Sequence, residues 1–346
     1  MRALALDGVG RLDRLAVREL PVPAITAPDE VRIRVRAAAL NRLDLLVAEG
    51  LPGVEYRFPH VVGSDAAGVV DAVGPAVRSV APGERVMINP GISCATCQAC
   101  LEGDDALCRA FRVVGEHLPG TIAELVIVPE SNVARVPATM RWDQAAAFSL
   151  VTLTAWRMLT TRARLKPAEA VLIWGIGGGV AQAALQITKL LGAYAIVTSG
   201  SAEKLAAARA LGADAVLDHS REDVVAEVKR LTAGRGADVV VDSVGERTWP
   251  HTLRALRRGG RLVTCGATTG PKVELDLRRL FWHQWTLLGS TMGSRREYSE
   301  IVRLAGLGRL WPVVDSVVPL DNAVDAVARL AGGEQFGKLV VEVSRE

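Results

Sequence analysis

The sequence predicts an α/β protein made of a β-rich unit and a doubly wound parallel sheet. Three observations lead there. Between residues 171 and 289, short apolar runs alternate with helical segments, the pattern of parallel strands covered on both faces. Before residue 142, apolar runs are separated by Gly, Pro and Asp turns with no long periodic helix between them, which indicates a partly closed barrel. After residue 290 too few residues remain to fold comfortably alone, so they are expected to return to the first unit and complete it. The expected division is 1–150 with 291–346, and 151–290.

In the first unit, strands are expected at 1–6, 31–35, 68–73, 85–89 and 123–128. Helices at 143–147 and 150–161 lead into the second unit. There the apolar run 171–174 turns through Gly175, Gly177, Gly178 and Gly179 into a helix, with Val180, Ala184, Ile187 and Leu191 on its buried face. Glycine reaches positive φ and admits a ligand close to the backbone. The helix N-terminus offers free N–H groups and the positive end of a dipole to a diphosphate. Val180 stands where a strict GxGxxG pattern needs glycine or alanine, but the frame Ile176, Gly178, Ala181 restores a small third residue. Further strands are expected at 195–198, 216–217, 239–241, 261–265 and 285–289, with a helix at 203–211. Ligands of such sheets bind beyond the carboxyl ends of the strands, so Ser199, Asp242, Ser243, Cys265 and Gly266 are expected to line one crevice. Helices at 297–304 and 322–330 and strands at 313–318 and 338–343 finish the chain.

A chain of 346 residues can hold two substantial cores. No apolar run reaches the roughly 18 residues needed to span a bilayer, so no membrane role is expected. Asp7 stands where a signal peptide needs its apolar core, which points to the cytoplasm. A net charge of +3 with scattered arginines argues against a nucleic-acid partner and leaves a small-molecule substrate.

Four of the five cysteines fall in one loop, Cys94, Cys97, Cys100 and Cys108. In a cytoplasmic chain that spacing reads as one structural zinc held by four thiolates, closed to substrate, rather than as disulfides. Cys265 stands apart and reads as a small buried residue.

An acid about 20 residues beyond the Gly-rich turn marks NAD-binding forms. Here that place holds Ser199, followed by Ser201 and Lys204, which favours NADP(H).

Together these features resemble the medium-chain dehydrogenase/reductase superfamily. Short stretches agree in order, among them Ala39–Asp44, Gly63–Val70, Pro82–Val86, Leu211–Asp214, Asp242–Gly245 and Gly289–Gly293. The resemblance implies a GroES-like catalytic domain, a Rossmann cofactor domain and a homodimer or homotetramer. Asn41 and Asp44 look like the quinone oxidoreductase branch. In the zinc alcohol dehydrogenases a cysteine matches Asn41, a histidine–glutamate pair matches Ser64 and Asp65, and a third ligand falls near Val151. An amide, a hydroxyl and an alkyl group make no zinc site. Without a metal ion an unactivated alcohol cannot be ionised for hydride loss. The expected function is therefore NADPH-dependent reduction of a quinone or an α,β-unsaturated carbonyl, with Asn41, Ser64, Asp44, Tyr56 and His60 as candidate catalytic residues; His117 is a further histidine near the same loops. The alternatives are a zinc-type alcohol dehydrogenase and a non-catalytic NADPH-binding or sensing protein.

Overall fold

A computed structural model describes residues 1–344. The chain divides into two compact units, Met1–Leu150 with Gly293–Glu346, and Val151–Met292.

The first unit is organised by the ten-residue strand Glu30–Ala39. One edge pairs antiparallel with Asp65–Val73 along its length. The other edge is shared: Glu30–Arg34 pair with Leu125–Pro129, and Ala37–Ala39 pair with the returning Lys338–Glu342. The strand's first half alternates, with Val31, Ile33 and Val35 buried, as a sheet with one covered face requires. Its last three residues are all alanine and all buried. Arg85–Ile88 and Val133–Arg135 extend the sheet on one side and Val314–Pro319 on the other. A smaller sheet joins Leu15–Glu19, Arg2–Leu6 and His60–Val61. One apolar cluster fills this unit; it runs from Leu4 and Ile33 through Ile122 to Val327 and Leu339, so the C-terminal segment is part of the same core.

The second unit is a six-stranded parallel sheet. Its order is Ala215–Asp218, Tyr194–Ser199, Ala170–Ile173, Ala237–Asp242, Leu256–Thr264, Thr286–Gly289, and every pairing is parallel. The central strands Ala170–Ile173 and Ala237–Asp242 are buried at every residue, and their stretches Ala170–Ile173 and Val239–Val241 are unbroken apolar runs.

Several elements differ from the sequence expectation. The helices expected at 143–147 and 150–161 are one helix, Trp142–Trp156, continued by a π-helical turn, Arg157–Arg162. The helix Arg42–Glu49 interrupts the β-rich segment. Its signal was present in the sequence: Asn41 caps it and Asp44 reaches back to the Asn41 N–H, a capping box. The helices Val224–Leu231, Trp249–Ala255 and Leu277–His283 were not anticipated, nor was the strand Leu15–Glu19.

Gly68 lies where Asp65–Val73 crosses Glu30–Ala39. A Cβ there would sit 2.1 Å from the Arg34 carbonyl oxygen, a backbone atom that cannot swing away. Gly68→Ala is therefore expected to force the two strands apart and to cost about 1–3 kcal/mol, as overpacking does. At Gly306, a Cβ meets nothing within 4 Å, so Gly306→Ala serves as the neutral control. Denaturant titration of both variants checks this.

Candidate functional site

In the second unit the Gly-rich turn follows Ala170–Ile173 directly. Gly175 has φ +69°, and its N–H reaches Thr198 Oγ1 at 3.2 Å. The helix Gly179–Leu190 starts with Gly178 as its cap residue and no side-chain cap, so its first N–H groups are left open. A Cβ at Gly178 would meet nothing nearer than 4.0 Å, and one at Gly175 only Val244 at 3.8 Å. Packing within the protein therefore does not demand glycine's small size here; the turn leaves room for a ligand. At the end of the strand before the turn and on the helix after it, the indole N–H of Trp174 and both amide atoms of Gln182 are buried without hydrogen-bond partners. These features fit a bound diphosphate, with the helix N-terminus and glycines 175 to 179 as its holders.

The other expected nucleotide residues sort by their partners. Ser199 Oγ accepts from the Ser201 N–H, and Ser201 Oγ caps the helix Ala202–Ala210 through the Lys204 N–H. Both hydroxyl oxygens thus accept within the turn, and each keeps its O–H to donate. Asp242 is buried and accepts from the Val244 and Gly245 N–H groups and from the Thr248 and Thr252 hydroxyls. It organises the strand-end turn. The Ser243 carbonyl accepts from Thr268, and Gly266 lies against it. Cys265 is half-buried rather than buried as expected; desolvation, with the Asp242 carboxylate nearby, raises its thiol pKa and disfavours the thiolate.

The first unit holds a denser polar cluster. Asn41, Asp44, Ser64 and Asp65 are all buried. Asp44 accepts from the Asn41 N–H at 2.7 Å and from the Gly63 N–H at 3.1 Å, one to each oxygen. Burial pushes its carboxyl up to about 7 despite those donors. Asp65 Oδ1 accepts from the Leu150 N–H at 2.8 Å. Its Oδ2 accepts from Asn41 Nδ2 at 3.0 Å and from Lys338 Nζ at 3.1 Å. Lys338, 4% exposed, also donates to Asn41 Oδ1. The remaining Asn41 N–H reaches the Ala39 carbonyl. Every polar atom of the Asn41 amide is therefore engaged, and it has no N–H left to offer a substrate, contrary to the sequence expectation. Ser64 is the opposite case: it is wholly buried and its hydroxyl has no partner. The sequence reading missed Lys338, which lies 297 residues from Asn41.

Two further candidates sit on neighbouring segments. His60 Nε2 faces the Gly115 carbonyl at 3.0 Å, so that nitrogen carries the proton. Burial lowers its pKa and keeps the ring neutral, with its N–H already engaged. Tyr56 packs edge-on against His60, with ring centres 5.1 Å apart. Its hydroxyl is buried without a partner, and burial raises its pKa, so the phenol keeps a free O–H. His117 accepts from the Val113 N–H through Nδ1 and stands 3.7 Å from Glu116.

The four cysteines converge. Their sulfur atoms lie within 4.8 Å of one another, with pairs at 3.5, 3.5 and 4.0 Å. A tetrahedron with Zn–S of about 2.3 Å has sulfurs about 3.8 Å apart, so the set fits one zinc ion without an open position. N–H donors from Thr96 and Cys97 lower the Cys94 thiol to about 6, which favours a ready thiolate. The lobe is tied down by Asp105, which takes the Arg295 backbone N–H and guanidinium. Among the described residues no other group of three or more His, Cys, Asp or Glu could hold a metal.

Comparison with known proteins is consistent across the chain. The alcohol dehydrogenase GroES-like domain profile matches residues 27–138, and the zinc-binding dehydrogenase profile matches residues 179–306. The chain is 30% identical to the NAD-dependent alcohol dehydrogenase of Sulfolobus acidocaldarius, over 99% of this chain and 100% of that one. This chain belongs to the zinc-type medium-chain dehydrogenase/reductase superfamily. Its fold is that of the superfamily: a crystal structure of an NAD-dependent alcohol dehydrogenase superposes with TM-score 0.96 at 44% identity, covering 99% of this chain and 100% of that one. It is also similar to the crotonyl-CoA reductase of Streptomyces avermitilis, 29% identical over 93% of this chain and 80% of that one. Membership makes the chain an oxidoreductase that uses a nicotinamide cofactor and a small-molecule substrate. The names of these dehydrogenase relatives differ from the expected NADP(H) and quinone or enone acceptor: they are called NAD-dependent alcohol dehydrogenases. No described helix is long and apolar enough to cross a membrane.

Two predictions follow from the first unit. Asp44→Asn places an NH2 against one of the two buried N–H donors and should cost about 1–3 kcal/mol. Because the folded-state pKa of Asp44 is raised to about 7, its contribution is fully present below the unfolded value and is lost as pH rises to the folded one. The penalty of Asp44→Asn, measured by chemical denaturation, should be larger at about pH 5 than at about pH 8. Cys97→Ser should lower thermal stability and zinc content together while leaving the turnover of the remaining folded protein intact, because the metal is coupled to folding of its own loop.

Proposed function

We propose that the chain is a nicotinamide-dependent reductase whose acceptor carries its own activation, as an α,β-unsaturated carbonyl or a quinone does. The observation that carries this reading is the cluster Asn41–Asp65–Lys338. The residues that match the metal ligands of the zinc alcohol dehydrogenases are an amide, a hydroxyl and a valine, and the carboxylate next to them is paired with an ammonium. That donor set does not suit zinc. The bound nicotinamide supplies a hydride. The protein's part is to bind the acceptor, exclude water and place donors where negative charge collects on its oxygen. The Ser64 hydroxyl and the Tyr56 phenol are the two candidates with a free O–H, and Tyr56 is the proposed source of the balancing proton. Similarity to a protein named crotonyl-CoA reductase supports a conjugated carbonyl.

A second reading is favoured by the names of several relatives: reversible oxidation of an alcohol with NAD. It needs a second metal site or an activated alcohol. Elemental analysis and an acceptor screen separate the two. One zinc per subunit, with enones or quinones reduced and simple alcohols not oxidised, is the expected result. Two zinc ions per subunit, with alcohol oxidation lost as the weaker one leaves, would reverse the choice.

For the cofactor, the absence of an acid at Ser199 removes the group that would repel a 2′-phosphate and hold a ribose diol. We therefore propose that NADPH is accepted, and Ser199→Asp should shift preference toward NADH by about tenfold or more in the ratio of Kd values. Fluorescence titration of both cofactors reads this; tighter NADH binding by the unaltered protein would reject it.

For assembly, Thr286–Gly289 is an edge strand. The preceding helix leaves Leu277, Phe281 and Trp282 exposed. A bare edge beside an apolar face is an aggregation hazard, which supports a homodimer, or a homotetramer of such dimers, formed across this face. Light scattering should report no monomer at micromolar concentration, and Phe281→Glu with Trp282→Glu should produce one.

A further inference from the structure

The four-cysteine lobe has no apolar core. Between residues 93 and 110 the buried residues are Cys100, Asp105 and Cys108. Leu101 and Leu107, its two largest apolar side chains, are exposed at 77% and 63%. Its regular structure amounts to the four-residue helix Gln98–Leu101 and the three-residue turn Asp105–Leu107. Helices this short do not hold themselves. So little buried apolar surface does not offset the entropy of ordering the loop. The lobe's shape therefore depends on two things: a metal ion among the four sulfurs, and the fastening of Asp105.

Asp105 is 4% exposed and is fastened chiefly to one residue. Its Oδ2 accepts from the Arg295 backbone N–H at 2.9 Å. Its Oδ1 accepts from Arg295 Nε at 3.2 Å and Nη2 at 3.1 Å, and from the Ser93 hydroxyl at 3.3 Å. Arg295 is the first residue of the helix Arg295–Gly306, which belongs to the same compact unit as the lobe. The first N–H groups of a helix have no partner within it. Ser294 Oγ takes the Glu297 N–H, and the Glu297 carboxylate reaches back to the Ser294 N–H. That capping box leaves the Arg295 N–H open. Asp105 closes it, and brings a negative charge to the positive end of the helix dipole. The helix thus receives one of its caps from a loop 190 residues earlier in the chain. Farther along it is held by other means: Tyr298, Ile301 and Ala305 are buried, and the Tyr298 hydroxyl bonds to Ser149 at 2.9 Å.

We propose that the cysteine lobe is a metal-dependent cap for the helix Arg295–Gly306. With zinc held by the four thiolates, the lobe is folded and Asp105 stands against Arg295. When the metal is lost the lobe opens, Asp105 is withdrawn, and the first turn of the helix frays while the remainder stays packed. Zinc occupancy is thereby read outside the metal loop, at the start of a distant helix. This rests on the reading of the four cysteines as a zinc site.

Hydrogen–deuterium exchange of the whole protein, followed by mass spectrometry, tests it. Three states are compared under reducing conditions: as purified, with zinc stripped by a chelator, and with zinc restored. Stripping should speed exchange of the amides at 295–298 by about tenfold, the size of a lost cap, and restoring zinc should reverse this. Exchange at 301–306 should stay within about twofold. Asp105→Ala should keep one zinc per subunit, because the four thiolates remain, and should show the fast first turn already. Stripping that variant should add nothing at 295–298. If Asp105→Ala does not fold, Asp105→Asn, which loses the charge and one acceptor, takes its place with the same readings. The proposal is overturned if stripping the unaltered protein leaves 295–298 unchanged. It is overturned equally if the whole helix speeds up together, since the unit would then be unfolding, or if stripping accelerates 295–298 as much in the Asp105 variant as in the unaltered protein. Failure of the zinc reading looks different: elemental analysis would find no zinc in the folded protein, whereas failure of the coupling leaves one zinc per subunit in place.

Discussion

Asp65 is a single buried carboxylate on which four distant segments of the first unit converge. One oxygen takes the Leu150 N–H; the other takes Asn41 and Lys338; its backbone carbonyl takes the Thr121 hydroxyl. These partners lie 85, 24, 273 and 56 residues away. Desolvating a carboxylate and an ammonium costs several kcal/mol each, and their attraction offsets this only when the remaining hydrogen bonds are made as well. Here both oxygens of Asp65 are satisfied and the ammonium makes two hydrogen bonds, which offsets much of that cost. The returning strand Lys338–Glu342 is therefore held twice, by its ladder to Ala37–Ala39 and by the ammonium at its first residue.

The second unit solves a different problem by simpler means. All six strands run the same way, so their carboxyl ends fall on one edge of the sheet. Each end needs a turn whose backbone groups are satisfied without filling the space beyond it. Asp242 does this by accepting four donors from its own turn and the following helix. Ser199 and Ser201 do it by bonding within theirs. The Gly-rich turn leaves its helix N-terminus without a side-chain cap and the space around Gly175 and Gly178 unobstructed. In the proposed reading the cofactor binds at that turn, and the polar residues around it keep it in shape.

The chain keeps the superfamily's fold and carries a four-cysteine lobe, and the chemistry of the first unit's polar cluster is proposed to differ from that of the zinc alcohol dehydrogenases. A metal ion is a mobile, hard cation that can polarise an alcohol oxygen directly. An ammonium is a weaker electrophile, fixed to the chain and shielded by its partners. In the proposed reading it suits an acceptor that is already electron-poor, and this sets the donor set of this chain apart from the names of the similar dehydrogenases.

Much of this was readable from the sequence. Parallel strands buried on both faces must be continuous apolar runs, so Val239–Val241 and Val171–Ile173 announced themselves. Four cysteines within fifteen residues meet wherever the loop closes, because their spacing is short compared with the loop's freedom. The helix Arg42–Glu49 was also encoded locally, in its capping box, although that signal was read as a family signature. What the sequence could not determine was any relation set by contacts across the fold. Lys338 reads as an ordinary strand residue, and nothing near it in the chain says that its ammonium lies against Asn41. Ser199 and Ser201 read as free hydroxyls until the turn shows each oxygen accepting a backbone N–H. Local patterns fix secondary structure and short metal loops because the interacting residues are neighbours in sequence. The partners of a buried charge are chosen by how strands separated by hundreds of residues pair, and only the tertiary structure makes that choice.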